Sequence, residues 1–152
     1  MSTIEEKAQL LIAYMETVID RAGRWQNDVN KHRMGHLSRN EMDAFIQLGR
    51  KGELTMGELA DKLLLSVSGA TVIADKLEEK GLVVRRRSLD DRRVVRVGLT
   101  GEGAKSYDEF HQMVLTFATA ILQSLDENEQ NLLLALHRKI SDSFPVVERK
   151  KD

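Results

Sequence analysis

Residues 54–100 read LTMGELADKLLLSVSGATVIADKLEEKGLVVRRRSLDDRRVVRVGLT, and this stretch decides the fold. Thr55 with Glu58 three residues on predicts a capped helix start, because hydroxyl and carboxylate can each satisfy an orphan backbone N–H. Leu59 and Leu63 then recur at helical spacing. A short connector, Leu64-Leu65, leads to Ser66, a good N-cap for a second helix. That helix buries Ala70, Ile73, Ala74 and Leu77, and Lys80-Gly81 ends it with a basic last turn and a glycine. Two helices joined so tightly predict a helix-turn-helix, whose second helix can lie in a major groove. Val83-Val84 and Val94-Val95-Arg96-Val97 are β-branched runs, and Ser88-Leu89-Asp90-Asp91 between them predicts the turn of a hairpin. The hairpin carries Arg85, Arg86, Arg87, Arg92, Arg93 and Arg96 against Asp90 and Asp91. The whole chain has a formal charge of −1, so this local excess points to a phosphate backbone rather than to indiscriminate coating of nucleic acid.

These residues resemble the MarR-type winged-helix transcription regulators. The resemblance is carried by the helix pair, Lys80-Gly81-Leu82-Val83, Arg85-Arg86, the turn Asp90-Asp91-Arg92-Arg93, and Val97-Gly98-Leu99-Thr100-Gly101-Glu102-Gly103. It covers the middle third closely and the flanking helices in outline. It implies a mostly α fold with a small β-wing, in which the N- and C-terminal helices form a dimerisation module. It also implies a homodimeric repressor on double-stranded DNA with a palindromic operator, released by a small effector that is often a phenolic or other aromatic acid lodged between the helical module and the winged unit. In the resembling family the wing arginine reaches the minor groove and an aspartate orients it; carried over, Arg93 is the probe, Asp91 the orienting carboxylate, and Arg92 lies beside them. Relatives often carry a long basic or amide side chain where Val67 and Val72 stand, and this departure shifts the expected weight toward DNA shape and the wing.

The bulk composition is that of an ordinary globular protein. At 152 residues, 41% of them apolar and 31% charged, the chain is one domain's worth with enough apolar matter for a core. No apolar run approaches the ~20 residues of a membrane span, and the acidic N-terminus is no signal peptide, so a cytoplasmic location is expected. The chain has no cysteine, which removes the thiol chemistry by which some MarR-type proteins sense peroxides.

From Ile4 the apolar residues Ile4, Ala8, Leu11, Met15, Val18, Ala22, Trp25 and Val29 alternate spacings of four and three, an a/d seam on a helix of about seven turns. Such a stripe packs either on the last helices of its own chain or on a second copy, and its length favours the second copy. The segment Lys31 to His36 predicts a turn through Gly35. Ser38 with Glu41 begins the next helix, with Met42, Phe45, Ile46 and Leu48 on its apolar face, ending near Gly49 to Gly52. Thr100 caps a long helix to about Leu125, with Tyr107, Phe110, Val114, Phe117, Ile121 and Leu125 along one face. Asp126 and Glu129 open a last helix, with Leu132, Leu133, Leu136 and Ile140, which Pro145 closes. The expected organisation is a single domain: residues 1–37 and 104–147 form the helical dimerisation module and 38–103 the winged helix-turn-helix.

For DNA, the second helix offers Ser66, Val67, Ser68, Thr71 and Val72, with Lys76 further along: hydroxyls for bases or phosphates, and valines for a thymine methyl. Arg85 and Arg86 are assigned to phosphate contact or to bracing the wing. A metal-responsive alternative rests on His32 and His36 at i, i+4 with Glu41, and on His111 and His137; the interrupting glycine and the absence of cysteine weigh against it, and no metal or other cofactor is expected. His111 is expected as a hydrogen-bonded core residue. Nothing resembles a phosphate-cradling loop or a nucleophile elbow, so no enzyme is expected. The remaining alternative is a winged-helix module that binds another protein instead of DNA, which the apolar Val67 and Val72 keep open while the arginine wing favours DNA.

Overall fold

A computed structural model describes residues 3–33 and 37–143, with side chains for 3–24 and 37–143. The elements run α1 (Ile4–Arg33), α2 (Arg39–Lys51), β1 (Leu54–Thr55), α3 (Met56–Leu63), α4 (Val67–Glu79), β2 (Val83–Arg87), β3 (Val95–Leu99), α5 (Gly101–Gln123) and α6 (Glu127–Ser143). This is a mostly helical chain with a small antiparallel sheet. It divides into two compact units, Met1–Asp108 and Glu109–Asp152.

The caps expected from sequence are present. Ser38 and Glu41 form a full capping box at α2, and Thr55 and Glu58 form one at α3. At α3 the Thr55 N–H donates to Glu58 Oε2 at 2.7 Å and the Glu58 N–H to Thr55 Oγ1 at 3.1 Å. These bonds hold the exposed Glu58 carboxyl below its ordinary range, helped by the positive field of Arg96. The α3–α4 turn is short because Leu64 adopts the left-handed conformation, φ 55°, and sends its N–H back to the end of α3. Glycine usually fills such a position. Ser66 caps α4, and Gly81, φ 72°, ends it: the Leu82 N–H reaches the Leu77 carbonyl at 3.0 Å and the Gly81 N–H the Glu78 carbonyl at 2.9 Å, a Schellman pattern.

The sheet order is β1-β3-β2, with Leu54 opposite Val97 and Arg85 opposite Val97 on the other side. The two-residue strand β1 was not expected, being too short to show a period of two. Its Leu54 joins Val83 and Val97 on the buried face, against Met42, Phe45 and Leu48 of α2 and Leu59, Ala70, Ala74 and Leu77 of the helix pair. Burying each of the larger side chains contributes about 1.5–3 kcal/mol.

Two glycines in this unit are required by close approach. α2 ends at Lys51 with Gly52 as its C-cap, within the expected span; Gly49 lies inside its last turn, and a Cβ there would stand 2.2 Å from the Tyr107 ring, which packs edge-on against Phe45. A Cβ on Gly103 would lie 2.0 Å from the Leu82 carbonyl oxygen. That contact explains the Leu-Thr-x-x-Gly ending. The Thr100 N–H donates to the Leu82 carbonyl, its hydroxyl donates to the Gly81 carbonyl at 2.6 Å, and the same oxygen receives the Gly103 N–H at 2.9 Å. Thr100 thereby ties the start of α5 to the end of α4.

Other boundaries differ from expectation. Lys31 to Arg33 continue α1 rather than opening a turn, because a helical N–H bonds to the carbonyl four residues before it, and a glycine further along the sequence does not affect that bond. Gly35 and His36 lie outside the described residues, as does Pro145. In the second unit, the bonds of Asp126 with Glu129 make the expected capping box at α6, at 2.9 and 3.0 Å. His111 is exposed on α5 rather than placed in the core, so its nearness to the apolar face did not bury it.

Candidate nucleic-acid interface

The geometry of α4 follows from its cap and its buried stripe. Ser66 Oγ receives the Gly69 N–H at 3.1 Å, which fixes where the helix begins. Ala70, Ile73, Ala74 and Leu77 then face the core. The opposite face is Ser68, Val72, Asp75 and Glu79, at i, i+4, i+7 and i+11, flanked by Val67, Thr71 and Lys76. Toward its C-terminus this face becomes acidic, through Asp75, Glu78 and Glu79, whereas the first two turns carry no acidic side chain.

Arg85 offsets part of that acidity. Its guanidinium pairs with Asp75 at 2.6 Å and Glu78 at 3.7 Å and donates to the Thr71 carbonyl at 3.0 Å, while its own backbone N–H donates to Glu78 at 3.2 Å. Of the two roles assigned to Arg85 from sequence, the geometry matches bracing: it fastens β2 to α4. Arg86 stands opposite Arg96 across the β2–β3 ladder and lies 3.6 Å from Glu53, both side chains largely exposed.

The tip of the hairpin is closed by four hydrogen bonds. The Ser88 N–H donates to the Val94 carbonyl and the Val94 N–H to the Asp91 carbonyl, both at 2.9 Å. The tight turn is therefore Asp91-Arg92-Arg93-Val94, three residues beyond the Ser88–Asp91 turn expected from sequence, and Val94 lies outside β3. An aspartate suits the first position of this turn, because its short carboxylate can accept a backbone N–H two residues on. The Asp91 carboxylate does so from the Arg93 N–H at 2.9 Å, and Ser88 Oγ accepts from the Asp90 N–H at 3.3 Å. Asp91 thus acts on the Arg93 main chain. Arg87, Arg92 and Arg93 are exposed, and none makes an ion pair among the described residues.

One further group orients α4 and was read from sequence only as a cap and an accessory metal ligand. Glu41 is buried, and its carboxylate receives the Lys80 ammonium and lies 4.0 Å from that of Lys76. Burial pushes its pKa up, but the bonds from Lys80 and Ser38 outweigh this and hold it below the ordinary value. Lys76 is therefore half engaged, and Glu41 is committed to α4. The pairing joins residues 39 apart in the chain, which spacing cannot reveal. Among the described residues no group of three or more His, Cys, Asp or Glu could hold a metal ion; the side chains of His32 and His36 lie outside them. No described helix is long and apolar enough to cross a membrane.

A capped helix pair, a presented helix and an arginine-tipped hairpin within a three-stranded sheet define a winged helix-turn-helix. Residues 37–95 match the MarR family model. Over 88 residues the chain is 39% identical to the HTH-type transcriptional regulator MhqR of Bacillus subtilis, covering 57% of this chain and 61% of that one. Over 100 residues it is 35% identical to the HTH-type transcriptional regulator FarR of Neisseria gonorrhoeae, covering 64% and 68%. The fold is shared with the crystal structure of Streptococcus pneumoniae FabT in complex with DNA, at a TM-score of 0.77 and 22% identity over 89% of this chain and 98% of that one. The chain belongs to the MarR family: it is a DNA-binding transcriptional regulator and not an enzyme.

Proposed function

We propose that this regulator is a homodimeric repressor that occupies a palindromic operator and is released by a small aromatic or acidic effector. The observation that carries the DNA contact is the pairing of two surfaces on one unit: the first turns of α4, with Ser66, Val67, Ser68, Thr71 and Val72, and a hydrogen-bonded tip on which the Arg92 and Arg93 side chains make no ion pair among the described residues. The α4 turns enter the major groove and the tip reaches the minor groove, where a narrow A·T-rich stretch attracts arginine. Arg86 and Lys76 add contacts to phosphates, whereas Arg85 acts by holding the wing to α4. FabT's complex with DNA supports the mode of use, since the two folds align over nearly the whole of FabT.

Support for a dimer comes from α1, where Leu11, Met15 and Val18 of the seam are exposed, as are Leu10, Ile12, Tyr14 and Ile19 beside them. So wide an apolar surface on one helix needs a cover, and a second copy places two α4 helices about one turn of DNA apart, 34–36 Å. An effector that binds better to a dimer of another spacing would shift the population away from the DNA-competent state. The test is binding to the DNA flanking the chain's own gene, titrated in salt. Selective protection of a palindrome with a steep negative salt slope supports the reading. Salt-insensitive, unselective binding would instead favour a protein partner on the apolar Val67, Val72 and Leu89, all exposed.

A further inference from the structure

The first nine residues of α4, Val67 to Asp75, include no arginine, lysine, asparagine or glutamine. Those are the side chains that make bidentate bonds to the major-groove edges of guanine and adenine. The hydroxyls at this end are mostly engaged within the protein. Thr71 Oγ1 donates to the Val67 carbonyl at 2.8 Å, and Ser66 Oγ lies 3.0 Å from Ser68 Oγ while accepting the Gly69 N–H. One of the three hydroxyl protons goes to Val67 and one lies between the serines, which leaves one for an outside acceptor. The Asp75 carboxylate is held by Arg85.

What the helix presents instead is two isopropyl groups. Val67 is 55% and Val72 51% exposed, whereas Ala70, Ile73 and Ala74 between and beside them are 8% or less. A valine in a helix keeps essentially one χ1 rotamer, so its methyls are held ready with little rotamer entropy to lose. In the major groove a base pair offers one apolar group, the C5-methyl of thymine.

We propose that Val67 and Val72 are specificity-determining residues that read thymine by its methyl group, so that each operator half-site carries thymines under the first two turns of α4. This rests on the DNA-binding reading above and adds which base is recognised and by what chemistry. Burying one methyl group corresponds to about a threefold to fivefold change in affinity.

The experiment starts from the duplex that full-length protein enriches out of a randomised library. Each thymine in it is then replaced singly by uracil, which removes the methyl and keeps the base-pairing edge. Uracil at one or two positions per half-site should weaken binding threefold to fivefold. Val72→Ala, at an exposed helical site where alanine is well tolerated, should weaken binding to the thymine duplex and abolish the further loss at the position Val72 covers; Val67→Ala should do the same at another position. A selectively bound duplex in which uracil is neutral everywhere would overturn the proposal and leave the DNA-binding reading intact. If no duplex is enriched, both fall.

Discussion

Arg85 distinguishes a wing that is braced from one in which every arginine grips phosphate. Replacing it with methionine keeps the aliphatic stem and removes the guanidinium. The variant loses the ion pairs with Asp75 and Glu78 and the bond to the Thr71 carbonyl. Arg85 is 24% exposed, but its acidic partners are 51% and 42% exposed, so solvent screening leaves each pair about 0.5 kcal/mol or less. The bond to the carbonyl adds about 1 kcal/mol. Arg85→Met should therefore lower stability by about 1–2 kcal/mol, a fall in Tm of about 2–8 °C for a chain of this size. Operator affinity should drop as the wing loosens, but the slope of log K against log salt should hold, because no phosphate contact is removed. Thermal denaturation and operator binding at several salt concentrations measure the two quantities. An unchanged Tm with a slope reduced by about 0.9 would show that Arg85 neutralises a phosphate, and would refute the bracing argument.

Arg93→Ala should weaken operator binding by about 1–3 kcal/mol without changing Tm, and wild-type affinity in a direct titration would remove Arg93 from the groove. Gly103→Ala should destabilise by about 3 kcal/mol despite alanine's better helix propensity, because the new Cβ meets the Leu82 carbonyl oxygen at 2.0 Å; guanidinium denaturation at or above wild-type stability would contradict the close approach. Glu41→Gln should cost about 2–3 kcal/mol at neutral pH by leaving Lys80 without its buried partner. Because folding lowers the Glu41 pKa from 4.5, its contribution is complete well above that value and is lost as pH falls below it. The gap between wild type and variant should accordingly narrow in acid, and a pH-independent gap would assign the loss to packing. Replacing both Leu11 and Val18 with glutamate should yield monomers in sedimentation, and a persistent dimer would place the interface elsewhere.

The winged unit was legible in the residues because each of its signals is local. Thr55 with Glu58 and Ser38 with Glu41 bond across three residues, and the stripe Ala70, Ile73, Ala74, Leu77 follows the helical repeat, so short-range stereochemistry wrote them directly into the sequence. Gly81 marked the end of α4 for the same reason, since the Schellman turn needs a positive φ at that position. Other local features stayed ambiguous. A run of Ser-Leu-Asp-Asp-Arg-Arg supports more than one turn register, and the choice of Asp91–Val94 came from the pairing of Ser88 with Val94 across the hairpin. The need for glycine at position 49 is not local either: a Cβ there would meet the Tyr107 ring.

Contacts between residues far apart in the chain decided the rest. Arginine's long side chain can serve phosphate, carboxylate or carbonyl equally well, so its role depends on which groups the fold brings within reach. For Arg85 these are Asp75, Glu78 and the Thr71 carbonyl, placed there when β2 packs beside α4. The same holds for Glu41 and Lys80, and for β1, which becomes a strand only because β3 supplies its hydrogen bonds. The helix pair, its caps, the buried stripe and the arginine hairpin follow from interactions within a few residues, so the order of residues already contains them. Which charges are spent inside the protein and which remain on its surface depends on distance in space, and therefore on how the elements pack.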